Sequence, residues 1–257
     1  MNRPRISSTR FPRLTACGVH LGISAVVAAV VAVATLALWY PGVYKVLSGG
    51  RELFWLVVSV DVIMGPLLTL VVFDATKPKK LLARDLSIIA ILQLAALAYG
   101  LRTVYLARPV AMVFEVDRFR VVSAADVREE ELPHAKAAYQ HLSLTGPWIL
   151  GTRAASPAEK LLAIELAFKG YDLSQRPSFW QPYEATRAAA LSRSRPIGVL
   201  LKQYPKASAD IEARLRAAGV DPERARFVPL QGRTAAWIAL LGPDAEIVGF
   251  APYDGFF

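Results

Sequence analysis

The chain has 257 residues, 54% of them hydrophobic, with a formal net charge of +9 and a mean hydropathy of +0.35. A positive average argues against a wholly soluble protein of this size, whose surface must be mostly polar. Residues 1–106 hold 11 Lys/Arg against 4 Asp/Glu, whereas residues 107–257 hold 19 against 17. The basic excess therefore flanks hydrophobic segments, and nucleic acid is not an expected partner.

Cys17 is the single cysteine, which leaves no internal disulfide framework or cysteine-based zinc site. Leu14-Thr15-Ala16-Cys17 resembles a lipoprotein cleavage box, but its apolar segment follows the cysteine instead of preceding it, so lipidation is not expected. His20, His134 and His141 lack metal-ligand spacing. No metal or other cofactor is expected.

Residues 1–13 form a basic tail carrying Arg3, Arg5, Arg10 and Arg13. Residues 14–106 then read as a block of three transmembrane helices, at Leu14 to Trp39, Leu53 to Phe73 and Leu86 to Leu106. Each reaches the ~20 residues that cross a ~30 Å hydrocarbon core. The loop after the first carries only Lys45 and Arg51, offset by Glu52; the loop after the second carries Lys77, Lys79, Lys80 and Arg84. This basic, weak, basic order predicts a cytoplasmic N-terminus and a C-terminal domain outside. Cleavage at Ala32-Val33-Ala34 is disfavoured, because the apolar run is long for a signal sequence and ends in Trp39-Tyr40, an interfacial pair.

Within span one, Gly18, Gly22, Ala25, Ala29 and Ala32 make a small-residue stripe that lets another helix approach closely. That helix is either one of the chain's own spans or a partner's. In span two, Asp61 is ionisable in an otherwise uncharged run and is expected to face a partner and not lipid. Asp61, Gly65 and Thr69 share a helical face, and Pro66 lacks the N–H that would serve the Val62 carbonyl. Counting from opposite ends places Tyr99 level with Asp61, and Gln93 level with Gly65-Pro66. The expectation is a Tyr99–Asp61 hydrogen bond and a Gln93 contact to the broken turn, with Ala96 and Gly100 permitting close packing. Structural glue, recognition of a partner helix, and proton chemistry at Asp61 all remain open.

Residues 107–257 read as an α+β domain, so the fold class is an α-helical membrane protein with a C-terminal α+β extracytoplasmic domain. Ala111 to Val122 is strand-like, with a bend or hairpin at Glu115 to Arg118. Ser123 and Asp126 form a capping pattern. Ser156 to Lys169 is the clearest helix, with Pro157 and Glu159 at its start and Gly170 at its end. Further helices are predicted at Tyr183 to Ser194 and Ala207 to Ala218, and strands at 226–229, 234–241 and 246–251. Glu129 to Glu131 reads as a solvated charge run. Pro177, Phe179, Trp180, Pro182 and Tyr183 form either core or a peptide-contact surface. The domain shows no phosphate loop, nucleophile elbow or catalytic constellation, and an enzyme is not expected.

Three stretches carry a resemblance: Asp61 to Asp74, Asp85 to Gly100, and Ala107 to Phe119. Together they are similar to the TfpX/TfpZ family of type IV pilin accessory proteins of Gram-negative bacteria, with weaker likeness at Arg176 to Tyr183 and Gln231 to Trp237. The resemblance implies an inner-membrane protein with a periplasmic C-terminal domain, serving type IV pilin and associating with other pilus-assembly proteins. A pilin itself is not expected, since pilins have one span with an acid shortly after a glycine cleavage site. The combined expectation is a non-enzymatic chaperone or adaptor that holds pilin at two places. One is the span-one stripe or the Asp61 site. The other is an outer-domain contact drawn from Arg108, Pro109, Asp117, Arg118, Trp180 and Tyr183. A membrane-anchored sensor that binds a periplasmic ligand is the alternative, although the short cytoplasmic segments leave no output domain.

Overall fold

The computed structural model describes residues 10–257, so Arg3 and Arg5 of the basic tail lie outside the described residues. The chain divides into two compact units.

The first unit, residues 10–38 with 50–106, is helical. Helix α1 (Arg10–Val33) runs on as a π-helical segment to Trp39, and a short helix, α2 (Tyr44–Leu47), follows it in the chain. Helix α3 (Gly50–Ser59) passes through a π-helical turn (Val60–Met64) into α4 (Gly65–Val72), and α5 covers Lys79–Leu106. Three helices are long and apolar enough to cross a membrane: Phe11–Trp39, Gly50–Val72 and Lys79–Leu106. The third begins seven residues before the expected Leu86, because the Pro78 carbonyl accepts the N–H groups of Leu81 and Leu82. Its first turn is basic, with Lys79 and Lys80. Arg13 Nη2 pairs with Asp74 at 3.0 Å, and Lys77 with Asp85 at 2.9 Å. Two bonds donated by Thr76, reinforced by Arg13, hold the Asp74 carboxyl below its ordinary range.

The second unit joins Ala107–Phe257 to the segment Trp39–Gly49, which sequence reading placed within the transmembrane block. Its strands are β1 (Pro109–Glu115), β2 (Arg118–Ser123), β3 (Trp148–Thr152), β4 (Trp180–Pro182), β5 (Arg195–Pro196), β6 (Arg226–Gln231), β7 (Ala236–Leu241) and β8 (Ile247–Ala251). They form one mixed sheet in the order β4-β3-β1-β2-β6-β7-β8, with β5 paired to β6. The β1–β2 pair is a hairpin, Glu115 opposite Arg118, so the bend of the sequence reading is a two-residue turn. Val116 there takes a left-handed φ of 52°, a costly conformation for a β-branched residue.

Helices α6 (Lys160–Phe168), α7 (Arg187–Arg193), α8 (Ile197–Gln203) and α9 (Ser208–Ala217) complete the unit. Gly170 and Gly219, both at positive φ, follow α6 and α9 as predicted. The Ser123–Asp126 cap forms both its bonds but leads only a single 3₁₀ turn, since the chain is extended again at Val127. Alternation along β6 and β7 covers both faces of the sheet. Phe227, Ile238 and Leu240 pack on α8 and α9 through Leu200, Ile211 and Leu215. Val228, Leu230, Ala239 and Leu241 face a second core with Met112, Phe119 and Tyr183.

Leu47 belongs to that second core and is wholly buried, with Val43 and Tyr44 packed beside it. The loop is also tied by its backbone. Arg233 N donates to the Leu47 carbonyl at 2.8 Å, and Thr234 Oγ1 to the Val46 carbonyl at 2.8 Å. Gly232 is required here, because a Cβ would lie 2.6 Å from the Leu47 oxygen. Burial pushes the Tyr40 and Tyr44 phenols up to about 12, as expected for rings enclosed in a core.

Arg176, Pro177, Phe179, Trp180 and Tyr183 are buried in the core, whereas Pro182 is exposed. Phe179 lies between two guanidinium groups, Arg153 at 4.2 Å and Arg176 at 4.5 Å from its ring centre. Arg176 Nε donates to Glu131 at 2.7 Å, and Arg153 grips Glu159 with two bonds. Of the run expected to be solvated, Glu129 and Glu130 are exposed, but Glu131 is an ion-pair partner at a nearly closed site.

Two outcomes test this packing. Leu47→Ala should cost about 2–5 kcal/mol, the range for emptying a buried leucine site, seen as a lower unfolding midpoint of the C-terminal unit in the intact chain. Glu115 is the second case. It is buried and accepts the Ser174 N–H at 2.8 Å, and desolvation pushes its carboxyl up. The folded state therefore holds this proton more tightly than the unfolded chain does. That contribution is complete below the ordinary value of about 4.3 and is lost as pH rises through the raised value. Glu115→Gln should raise the midpoint at pH 7 and make no difference near pH 4.

Candidate functional site

The helical unit buries a small set of polar side chains between its helices. Asp61, Gly65 and Thr69, the residues predicted to share a face, are all buried, and Pro66 is buried beside them. Helix α1 lays His20 and Ser24 against this region, and His20 Nδ1 lies 2.5 Å from Thr69 Oγ1. Sequence reading gave His20 no role. Its spacing of four from Ser24 in an otherwise apolar span was the available signal.

Gln93 reaches the broken turn, but its partner differs from the one expected. Its Nε2 donates to the Asp61 carbonyl at 3.3 Å, not to that of Val62. The π-helical turn supplies the reason. In an i→i+5 ladder the N–H missing from Pro66 would have served residue 61, so the orphaned acceptor shifts back by one. Gly65 makes the approach possible, since a Cβ there would lie 1.8 Å from Gln93 Nε2. Gly100 plays the same part further along α5, where a Cβ would meet Val57 at 2.8 Å.

Tyr99 corrects the prediction made for it. Its side chain is 73% exposed and makes no hydrogen bond to Asp61. The helical rotation set by Gly100 against Val57 turns the neighbouring Tyr99 outward. Asp61 is only 9% exposed, and its Oδ1 has no hydrogen-bond partner among the described residues. A cavity of about 210 Å³ lies on one side of it, bounded by His20, Ser24 and Gln93. Another of about 220 Å³ lies on the other side, toward Tyr99 and Gly100.

The small-residue stripe faces away from the chain's own helices. Gly18, Gly22, Ala25 and Ala29 are exposed, and Cβ atoms built on both glycines would meet nothing within 4 Å. Ala32 alone is half-buried. Packing against the chain's own spans, one of the two readings of this stripe, is not what the stripe does.

In the C-terminal unit most of the expected contact residues prove to be interior. Arg108 is 3% exposed, and Pro109, Trp180 and Tyr183 are buried as well. Trp180 Nε1 donates to the Ser174 carbonyl and Tyr183 Oη to that of Ala245, so both rings are fixed in the core. Asp117 and Arg118 sit at the hairpin turn, where Asp117 is exposed and Arg118 half-buried. The apolar surface lies elsewhere. On α6 only Leu166 is buried, leaving Leu161, Ile164 and Phe168 exposed, with Phe168 at 89%. The sequence signal was a helix apolar on more than one face. A groove of about 370 Å³ runs beside this helix, lined by Val116, Arg118, Ala163, Ile164 and Gln231.

Three helices long and apolar enough to cross a membrane, followed by a mixed-sheet domain with an exposed apolar helix, define a two-unit protein. The chain is similar to the fimbrial assembly protein of serogroup I from Dichelobacter nodosus, 35% identical across 93% of this chain and 94% of that one. The serogroup E1 protein of the same organism is 34% identical over the same shares. The protein of serogroups C1 and C2 is 42% identical across 46% of this chain and 90% of its own length. A family profile described as fimbrial assembly protein FimB matches residues 9–49. The chain belongs to this family of fimbrial assembly proteins. No solved structure matches it.

The helix contact at Gly65 is directly testable. Gly65→Ala should cost about 1–3 kcal/mol, as overpacking does, by displacing Gln93 from the Asp61 carbonyl. The readout is a lower melting midpoint of the helical signal in detergent, with Gly18→Ala as the neutral comparison.

Proposed function

We propose that the protein is a non-enzymatic accessory factor of type IV pilus assembly, seated in the bacterial inner membrane, which holds the pilin subunit before its addition to the pilus. The observation that carries this reading is its relation, along nearly the whole chain, to proteins named for fimbrial assembly. The resemblance of residues 61–122 to the TfpX/TfpZ group supports type IV pilin as the partner within that role.

The proposed topology is three crossings, with the N-terminus cytoplasmic and the C-terminal unit periplasmic. One structural fact supports it. Residues 39–49 fold into the same unit as residues 107–257, as they must if the second and third helices both cross and return the chain to one side. The basic residues at the opposite helix ends fit the cytoplasmic side. Two surfaces suit a client with an apolar helix and a globular head. One is the polar seam around Asp61. The other is the exposed apolar face of α6 beside the Val116–Arg118 hairpin, which takes the place of the buried contact residues.

The test joins phenotype to topology. Removing the protein should abolish surface pili or reduce them sharply, while pilin messenger is unchanged. Alkaline phosphatase fused after Phe257 should be active. Normal piliation without the protein would sink the assembly role, and an alkaline phosphatase fusion that is made in full but inactive would sink the topology.

A further inference from the structure

The three helices do not close into a full bundle. Helix α1 packs on α4, and α5 packs on α3 and α4, while α1 and α5 stand apart above the turn that carries Asp61. The space between them is a groove with apolar walls, including Ile23, Val27 and Leu94, and a polar floor of His20, Ser24, Asp61 and Gln93. A second hollow of about 460 Å³ shares His20, Ile23 and Ala90 with the first and carries the groove on to Phe73 and Leu86. From Leu86 to Leu97 the groove follows α5 for about 16 Å at ~1.5 Å per residue. That is half a hydrocarbon core of ~30 Å.

The floor has an acceptor to spare. Gln93 is committed to the Asp61 carbonyl and Thr69 to His20, and the Tyr99 phenol makes no bond to Asp61. The Asp61 side chain, nine-tenths buried, lines the groove, and its Oδ1 is an acceptor without a hydrogen-bond partner among the described residues. An acyl chain fills apolar space but donates no hydrogen bond. A helix does both if it presents a donor at that level, and buried polar groups between membrane helices are normally paired in this way. The small-residue stripe lies on another face of α1 and forms no part of this groove.

We propose that the groove between α1 and α5 seats the apolar helix of the pilin subunit, with a hydrogen-bond donor of that helix (an amine, hydroxyl or protonated carboxyl) bonded to the Asp61 carboxyl group. This rests on the assembly role argued above and specifies where and by what chemistry the client is held. Asp61 is the anchoring residue, Gln93 and Gly65 hold its turn in place, and the groove walls supply the apolar contact.

The experiment places a photo-crosslinking amino acid, p-benzoylphenylalanine, in the full chain in its own membranes. It replaces Ile23 or Leu94 in the groove, Ala25 on the stripe, or Ile164 on α6, and adducts are detected with antibody to pilin. Pilin adducts are expected from positions 23 and 94 and not from 25. Asp61→Leu should lower the groove adducts roughly tenfold or more, as loss of a hydrogen bond to an ionisable group does. Asp61→Asn, which keeps an acceptor oxygen, should retain them. Unchanged adducts from position 164 in both variants show that the protein is still folded. Groove adducts that persist undiminished in Asp61→Leu overturn the bond. Pilin adducts from 25 or 164 with none from 23 or 94 overturn the groove and leave the assembly role standing, as does an adduct of the chain with a second copy of itself at 23 and 94. Pilin adducts from none of the four positions overturn the assembly role itself.

Discussion

A proline at position 66 leaves one carbonyl of an apolar helix without its N–H, and an apolar surrounding offers no water to replace it. Much of the helical unit follows from how that debt is met. The π-helical turn moves the orphan to Asp61, Gln93 donates to it, and Gly65 clears the space for the amide to arrive. With Gln93 committed there, the Asp61 side chain keeps a free oxygen. One backbone defect thus accounts both for the close approach of α5 to the second span and for the unserved acceptor beside the open groove.

The C-terminal unit is completed by a segment remote in sequence. Leu47 closes a core formed by β1, β2, β6 and β7, and the backbone groups of Val46 and Leu47 accept bonds from Arg233 and Thr234. The loop between the first two spans is therefore structural, which fits its low charge. The Phe179 ring lies between Arg153 and Arg176 in the interior, and each arginine is neutralised by a glutamate. With Trp180 and Tyr183 interior, α6 offers the domain's most exposed large apolar side chains, Phe168 and Leu161.

Such an arrangement suits a client whose helix and head differ in chemistry. A groove with a polar floor selects by hydrogen bonding as well as by shape, because a helix without a donor leaves the acceptor unserved. The apolar face of α6 discriminates less, since apolar contact is non-directional. In the proposed division of labour the groove confers specificity and the outer surface adds affinity.

The sequence by itself determined what depends on local chemistry and on period. The three apolar helices follow from uncharged runs, the ends of α6 and α9 from Gly170 and Gly219, and the shared face of Asp61, Gly65 and Thr69 from helical spacing. The strands β6 to β8 could be read because alternation and turn residues are local signals. Tertiary structure decided everything that depends on rotation and on distant partners. A level count along two helices put Tyr99 beside Asp61, but only packing of Gly100 on Val57 set the rotation that turned the phenol away. Burial of Arg108, Trp180 and Tyr183, the pairing of Glu131 with Arg176, and the capture of Leu47 all join residues far apart in the chain. No periodicity encodes such pairings, because they are chosen by the shape and polarity of the site into which each side chain folds.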